Sequence, residues 1–269
     1  MLAIMKTLFG NLRLRTLQQN SFLRYSLYAI GEIILIVIGI LIALQLGDWN
    51  DKKKSVELEK RVLSDLKNEI HNNLDGLNYV IKQKRDIVEI CQIFLTKTGP
   101  ATLWDLDLKF DSLLVKTIVA GWKFKPQNGV LDDILSSGKL ELIKNDSLRY
   151  AISSISGYTA RFQFEDDMVI NDLHNSYLPF MTKRYPIRNI NAYEAGELSE
   201  SQIKSSREIR NSRFTAQPER LLNDPEFESQ LNIQMMWVNF SLYHYDQQRK
   251  KYHEIITMIN KELGSEYLH

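Results

Sequence analysis

The sequence predicts an all-α protein, in which a single N-terminal transmembrane helix continues into a long helix and a bundle of about four long helices. Residues 28–46 are almost continuously apolar, a run long enough to cross a bilayer. Apolar residues then recur every seven positions through residues 51–97, which is a helical period. The apolar and polar alternation typical of strands is nearly absent.

Composition limits the classes of protein that this chain can belong to. Its 269 residues are 44% hydrophobic and 25% charged, enough for one membrane helix and one soluble domain with its own core. Residues 1–47 contain four of the 34 basic and one of the 33 acidic residues, which leaves 30 and 32. This balance argues against a nucleic-acid partner. The single cysteine, Cys91, excludes an intramolecular disulfide and a CxxC pair.

The apolar run predicts a membrane span over residues 25–47, with the lipid bilayer as its partner. At 1.5 Å per residue, Tyr28 and Trp49 lie about 31 Å apart, close to the thickness of the hydrocarbon core. The run is too long for a cleaved signal peptide. The alternative is a buried helix of a soluble protein. We favour the membrane because Tyr25 and Trp49 are suited to anchor the two interfaces, and lysines follow at residues 52–54.

The charges that flank the span predict its orientation. Four basic residues and no acid precede it, whereas five basic residues mixed with acids follow it closely. We therefore expect the inner (cytoplasmic) membrane, with the N-terminus inside and the C-terminal domain in the periplasm. The basic tail over residues 1–24 has two interpretations. It lies along the inner leaflet as an amphipathic segment, or it is a frayed tail that only sets topology.

One stripe of the predicted span combines an acid with small residues. At 100° per residue, Tyr28, Glu32, Gly39 and Ala43 share a face, and Gly39 and Ala43 have the small-xxx-small spacing of close helix pairs. One interpretation is a membrane-helix interface in which Glu32 hydrogen-bonds across helices. The alternatives are a proton-carrying acid, and a carboxylate that reaches the headgroups and has no further role.

The next segment, residues 48–97, is predicted to be a long juxtamembrane helix. Its seven-residue repeat is formed by Val56, Leu63, Ile70 and Leu77, and it weakens at Lys84. Packing within a bundle is therefore favoured over a coiled coil between protomers. A bend or break is possible at Gly76 or at the two preceding asparagines, residues 72–73. The run Thr-Gly-Pro at residues 98–100 is expected to end the helix.

Residues 98–269 are predicted to form a helical bundle domain. We expect helices over residues 106–120 and 130–137, the second capped by Gly138, and a long helix from Asn145 that ends before Pro186. A polar loop without apolar periodicity lies near residues 187–217. A final helix opens at Pro225 and ends at Gly264. The predicted core stripes of the two long helices are Leu148, Ile152, Ile155, Tyr158, Phe162 and Met168, and Leu231, Met235, Val238, Leu242, Tyr245, Tyr252 and Ile256.

Two groups of motifs resemble a known family. YAIGEI at residues 28–33, GILIALQ at residues 39–45 and WN at residues 49–50 are similar to the opening signature of an uncharacterised family of Gram-negative envelope proteins, catalogued as a domain of unknown function. LSSGKL at residues 135–140 and LIKN at residues 142–145 resemble the middle of that domain. The resemblance implies a single-pass membrane protein. It implies no activity, catalytic residue or cofactor.

The sequence contains few candidates for catalytic, cofactor-binding or metal-binding residues. No GxSxG, HExxH, phosphate-binding glycine loop or dinucleotide fingerprint occurs, so we expect no catalytic residues and no cofactor. Asp167, Asn171 and His174 share a helix face, with Glu165 and Asp166 nearby. Because the Glu-x-x-His pairs of di-iron bundles are missing, we interpret these acids as a solvated face and expect no metal site.

Aromatic residues form the other two candidates. One is a cluster on the final helix, which we interpret as core packing with polar tips at its rim. The alternative is a ligand pocket or a pH-responsive surface. Its members are Trp237, Phe240, Tyr243, His244, Tyr245, Tyr252 and His253. The other candidate is a groove lined by Trp104, Trp122 and Phe124.

The leading functional hypothesis is a non-enzymatic, single-pass, membrane-anchored helical module for self-association or partner binding in the bacterial cell envelope. We expect a homo-oligomer or a complex with another envelope protein. The membrane stripe and the lack of catalytic signatures support this hypothesis. The alternative is an extracytoplasmic sensory or ligand-binding helical domain.

Overall fold

The computed structural model describes residues 21–105, 109–189 and 212–264, and only the backbone of residues 21–24 and 27. No strand occurs in these ranges, in agreement with the predicted all-α class. The α-helices are α1 (Ser21–Leu95), α2 (Phe110–Ile118), α3 (Gly129–Ser136), α4 (Asp146–Ser153), α5 (Ile155–Asp172), α6 (Leu178–Arg184), α7 (Pro218–Leu222) and α8 (Pro225–Gly264). Short 3₁₀ turns cover Lys139–Leu142 and Ile187–Asn189, and a π turn covers Leu173–Tyr177.

The chain divides into two units, Met1–Glu59 and Lys60–His269. In the first unit, the described residues belong to α1, and every side chain from Tyr28 to Ser55 is exposed. This part of α1 contains one segment that is long and apolar enough to cross a membrane. Its leucine, isoleucine and valine side chains contact no core, because Leu35 is 75% exposed and even Ile38 is 46% exposed.

The second unit has one hydrophobic core formed mainly by three helices. α8 runs antiparallel to α5, since Ser241 contacts Asp166 while Lys251 lies over the ring of Tyr158. α8 also runs antiparallel to the C-terminal part of α1, where Cys91 contacts Gln234. Each helix contributes a stripe of fully buried side chains. The most buried include Leu63, Leu66, Leu77 and Phe94 of α1, Ile155 and Phe162 of α5, and Phe227, Leu231, Val238, Tyr245 and Ile259 of α8.

The prediction of about four long helices is not confirmed. In the described part of the chain, three helices exceed 15 residues, with lengths of 75, 18 and 40 residues. The helix expected to run from Asn145 to Pro186 is divided. Asn145 caps α4 as predicted, accepting a hydrogen bond from the Leu148 amide at 3.0 Å. The chain then leaves the α-helix at Ser154 and again at the π turn.

The possible break near Gly76 is absent, because α1 continues through it. Gly76 instead permits a close approach: a Cβ atom there would lie 3.4 Å from the Phe124 ring. The lack of a side chain lets the segment between α2 and α3 lie directly on α1. Phe124 fills the space and is itself buried. The glycine is therefore used for packing and not for bending.

Two polar side chains of α1 hold the segment that leads into α3. The Asn73 amide donates to the Gln127 carbonyl and accepts from the Gln127 amide, both at 2.8 Å. The Glu69 carboxylate accepts from the amides of Val130 and Leu131 at 2.6 and 3.0 Å. Glu69 therefore supplies acceptors for the free N–H groups at the start of α3. At its other end α3 is followed by Gly138 with a φ of 78°, as predicted for a glycine cap.

The stop of α1 and the extent of α8 agree with the sequence. α1 ends at Leu95, just before residues 98–100, and α8 covers Pro225–Gly264. Residues 1–20 of the predicted tail, residues 106–108 and residues 190–211 of the predicted polar loop lie outside the described residues. Three expected core residues, Tyr158, Met168 and Met235, are only partly buried. Asp166 and Val169 occupy the inner face of α5 instead, and Gln234 occupies the inner face of α8.

We predict that Asn73→Ala lowers the free energy of unfolding of the second unit by about 2 kcal/mol, because it leaves two backbone groups of Gln127 without partners. Asn72→Ala is the matched control, since Asn72 is exposed on the same helix turn. Thermal unfolding of the full chain in detergent, followed by circular dichroism, measures both. Equal effects of the two substitutions would contradict this role of Asn73.

Candidate functional site

The six residues predicted for the membrane stripe and its anchors all lie on α1 in the first unit. Tyr28 and the anchors Tyr25 and Trp49 are 82%, 83% and 66% exposed. Glu32, Gly39 and Ala43 are exposed as well. A Cβ atom placed on Gly39 would meet no other atom within 4 Å. The stripe is thus an open helix surface, and its role as an interface stays a prediction.

The most unusual arrangement of side chains lies instead inside the second unit. Lys84 of α1, Asp166 of α5, and Ser241 and Tyr245 of α8 are each at most 1% exposed. We call these four residues the buried polar layer. Charged side chains are almost never fully buried unless they are paired. The arrangement joins the three helices that form most of the core.

The Asp166 carboxylate is the centre of the buried polar layer. Its Oδ1 lies 2.9 Å from the Lys84 ammonium and accepts a hydrogen bond from Ser241 Oγ at 2.7 Å. Its Oδ2 accepts from the Tyr245 hydroxyl at 2.5 Å. The Tyr245 oxygen in turn accepts from the backbone amide of Phe124 at 2.9 Å. Each carboxylate oxygen therefore has a hydrogen-bond donor although the side chain is buried.

The Lys84 ammonium is satisfied less completely. Its contact with Asp166 is a charge pair and not an aligned hydrogen bond. The ammonium also lies 5.4 Å from the centroid of the Tyr245 ring, a cation–π contact. Burial lowers the pKa of Lys84, while the charge of Asp166 opposes this shift. Asp166 is therefore the member of the layer whose charge favours the protonated form of Lys84.

The Tyr245 hydroxyl is held as a proton donor. Burial raises the pKa of Tyr245, and the neighbouring Asp166 charge raises it further. Its ring packs against Phe162 with the two centroids 4.7 Å apart. The ring belongs to α8, and its hydroxyl donates to Asp166 of α5. Tyr245 therefore holds α8 and α5 in a fixed position relative to each other.

A second polar layer lies seven residues after Lys84 on α1 and seven residues before Ser241 on α8. Cys91 Sγ donates to Gln234 Oε1 at 3.7 Å, and Gln234 Nε2 donates to the Thr117 carbonyl at 2.6 Å. Thr117 Oγ1 hydrogen-bonds the Tyr177 hydroxyl at 2.7 Å. Burial raises the pKa of Cys91 to about 12. This cysteine is therefore an inert core residue and not a reactive thiol.

The acidic residues around Asp166 do not form one solvated face, which corrects that interpretation. Glu165 lies 3.4 Å from His244, and Asp167 lies 2.5 Å from Lys123. Asp166 points inward between them. Three successive acids therefore have three different partners. Within residues 21–105, 109–189 and 212–264, no three His, Cys, Asp or Glu side chains are grouped to hold a metal ion.

The aromatic candidates also separate. Trp104 packs against Phe110 with centroids 5.0 Å apart, whereas Trp122 packs against Tyr79 at 5.6 Å and Phe124 against Phe162 at 6.0 Å. Trp122 and Phe124 therefore lie beside α1 near Tyr79 and Gly76, whereas Trp104 lies apart from them against Phe94. Because Phe124 is also buried, the three side chains do not line one groove.

On α8, the interpretation of the aromatic cluster as core packing is correct only in part. Tyr245 and Tyr252 are buried. Trp237 and His244 are partly buried, and Phe240, Tyr243 and His253 are exposed. The two exposed aromatic rings therefore need another explanation.

The sequence contains a signal for the buried polar layer. Lys84 stands seven residues after Leu77 and seven before Cys91, so it occupies a core position of the α1 repeat. Asp166 follows the buried Phe162 by four residues, again on the inner face. A charge in an apolar stripe on each of two helices indicates a buried pair. The sequence alone could not have identified Ser241 and Tyr245 as the hydrogen-bond partners of Asp166.

The buried polar layer is closed to solvent, so its charges and hydrogen bonds stabilise the packing of the three helices. We predict that Asp166→Asn and Lys84→Met each lower the free energy of unfolding by about 3 kcal/mol or more, because each leaves an unbalanced buried charge. The double variant should lose less than either single variant. Arg85→Met is the control, since the exposed Arg85 to Asp246 pair contributes less than about 1 kcal/mol.

Chemical denaturation of the four variants in detergent measures this prediction. Losses that simply add in the double variant would show that Lys84 and Asp166 do not depend on each other.

Comparison with known proteins gives one match. No curated protein and no solved structure matches the chain. A family model does match residues 32–177, more than half of the chain. The matched range includes most of the membrane stripe and all of α2 to α5. It also includes both Lys84 and Asp166. The chain belongs to DUF6090, a family of unknown function.

Proposed function

We propose that this protein is a non-enzymatic, single-pass, membrane-anchored helical module that associates with itself or with another protein of the bacterial cell envelope. The observation that carries the proposal is the exposure of the apolar part of α1. From Tyr28 to Leu46 its side chains touch no core. Exposed apolar surface on this scale is costly in water and is what a bilayer accommodates.

The division of the chain supports the same proposal. Residues from Lys60 onward have their own compact core. The apolar helix is therefore not needed to complete that core. A segment that contributes nothing to the fold of the second unit, yet carries almost only large apolar side chains, is suited to anchoring. Tyr25 and Trp49 are residue types suited to the two membrane interfaces.

We further propose the inner (cytoplasmic) membrane, with the N-terminus inside and the C-terminal domain in the periplasm. The charge count around the span supports this orientation, since basic residues without acids precede it. The resemblance of the YAIGEI and GILIALQ motifs to Gram-negative envelope proteins supports the location.

The proposed contact surface within the membrane is the stripe of Tyr28, Glu32, Gly39 and Ala43. Small residues spaced by four let two helix backbones approach, and van der Waals packing then replaces lipid contact. An acid in a membrane helix usually faces protein, because a partner can hydrogen-bond its carboxyl group. The open space around Gly39 leaves room for such a partner.

The alternative function is an extracytoplasmic sensory or ligand-binding domain. It would rest on an open groove of about 400 Å³ whose lining includes Pro186, Arg188, Arg213 and Phe214. Lys84 is the one fully buried cation among the described residues, and it does not line this groove, so its charge is not offered to a ligand there. The membrane-anchored association module is therefore better supported.

The proposal predicts that the full chain stays in the membrane pellet after alkaline carbonate washing and is released only by detergent. A reporter enzyme fused after His269 should be active in the periplasm and inactive in the cytoplasm. Recovery of the wild-type chain in the carbonate supernatant would contradict anchoring. Cytoplasmic reporter activity would contradict the orientation.

Association is tested in the same membranes by energy transfer between fluorescently labelled copies. Gly39→Leu should abolish most of the transfer, because the larger side chain separates the paired backbones. Gly31→Leu is the matched control, since Gly31 is equally open but lies about 80° from Gly39 around the helix. Unchanged transfer in Gly39→Leu would contradict the membrane contact.

A further inference from the structure

An open groove of about 400 Å³ lies on the surface of the second unit. One of its walls belongs to Pro186 and the 3₁₀ turn Ile187–Asn189, and the other belongs to residues 212–214. Arg184, which directly precedes the groove residue Tyr185, pairs with acids at the start of α8. The groove therefore lies near that end of α8. Binding sites are concave and combine apolar walls with a few polar groups.

The two walls are joined to each other and to the core. The Asn189 side chain accepts a hydrogen bond from the Ser212 amide at 2.8 Å, although the two residues are 23 positions apart. Tyr185 in the groove is buried, and its hydroxyl donates to Asp111 at 2.5 Å. Its ring packs against Phe110 with the centroids 5.6 Å apart. The groove is thus preformed, and a preformed surface loses little entropy when it binds.

The groove is positively charged. Arg188 belongs to one wall and Arg213 to the other, and no Asp or Glu is among the described lining residues. Within the described part of the chain, neither of these two guanidinium groups forms an ion pair or a hydrogen bond. Arg184 differs, since it pairs with Asp224 and Glu226 at 2.6 Å each. Arg188 and Arg213 are therefore available to an anion, and a guanidinium fork matches the geometry of a carboxylate.

The same walls carry apolar surface. Phe214 is 81% exposed, more than any other large apolar side chain in the described part of the second unit. Pro186 and Ile187 also line the groove. Aromatic residues and arginine are enriched in protein interfaces. A ligand that complements this groove therefore carries both an apolar group and negative charge.

The shape of the groove favours an extended chain over a compact small molecule. Small-molecule sites enclose most of the surface of their ligand. Here much of the lining is itself exposed to solvent, including Thr182, Arg188, Arg213 and Phe214. An extended peptide tolerates such a site, because its alternate side chains point away from the surface that it contacts.

We propose that this groove binds a segment of another protein in which a large apolar side chain is flanked by acidic residues. The apolar side chain packs on Phe214, and the two carboxylates pair with Arg188 and Arg213. The proposal states the chemistry of a partner for the proposed association with another protein, and to that extent it rests on the proposed function. The contact lies in the second unit and uses no residue of the membrane stripe.

Fluorine NMR of the full chain in detergent tests the proposal. The probe is the peptide acetyl-Ser-Glu-Phe-Glu-Ser-amide with a fluorinated phenylalanine ring, whose signal broadens when the peptide binds. We expect weak binding, with a Kd of about 0.1 to 1 mM, because the contact is small. The matched peptide with glutamine in place of both glutamates should bind about tenfold more weakly, since it lacks the charges that pair with arginine.

Matched variants of the chain locate the contact. Arg188→Gln and Arg213→Gln should each weaken binding of the glutamate peptide about threefold to fivefold and affect the glutamine peptide much less. Phe214→Ala should weaken binding of both peptides, because it removes the apolar contact. Lys183→Gln is the control for net charge, since Lys183 is exposed in the same stretch but does not line the groove. It should leave binding of either peptide nearly unchanged.

Three outcomes would overturn the proposal. Equal binding of the two peptides would show that carboxylates are not recognised. Equal losses in Arg188→Gln and Lys183→Gln would show attraction to net charge alone. No binding of either peptide, with broadening of the phosphorus signal of added phosphatidylglycerol that is lost in Arg188→Gln, would assign the groove to a lipid headgroup. These readouts are independent of membrane retention and of energy transfer between copies, so the groove and the membrane anchor can fail separately.

Discussion

The charge of Lys84 is the constraint on which the packing of the second unit depends. An ammonium group without access to water needs a counter-charge, and Asp166 provides it from a different helix. Asp166 in turn needs hydrogen-bond donors for its remaining lone pairs, and α8 provides them through Ser241 and Tyr245. A slide of any of these three helices by one turn would leave a buried charge without its partner.

Apolar packing alone would specify the same bundle less strictly. Leucine and isoleucine side chains tolerate neighbours of similar volume, so stripes such as Leu63, Ile70 and Leu77 could pair in more than one register. The buried polar layer accepts only one register. The second polar layer, in which Cys91 contacts Gln234, selects the same register seven residues away on each helix. Two polar layers thus fix both the sliding and the rotation of α1 against α8.

The sequence predicts the helices better than it predicts the site. The all-α class, the end of α1 before residues 98–100, the Asn145 cap and the bounds of α8 follow from periodicity and capping residues, which are local signals. The π turn Leu173–Tyr177 comes directly before Pro179, and a proline disrupts the regular helix that precedes it, so this departure has a local signal. The break at Ser154 has no proline near it. Lys84 was visible as an interruption of the repeat, but its partners became known only from the fold.

The central claim is that the buried polar layer joins α1, α5 and α8 into one cooperative unit. Amide hydrogen exchange of the native full chain tests it most directly, with peptides that cover residues 80–88, 162–170 and 241–249. We predict one shared free energy of opening for the three segments, close to that of global unfolding. Exchange of residues 80–88 at a much lower free energy than the other two segments would contradict it.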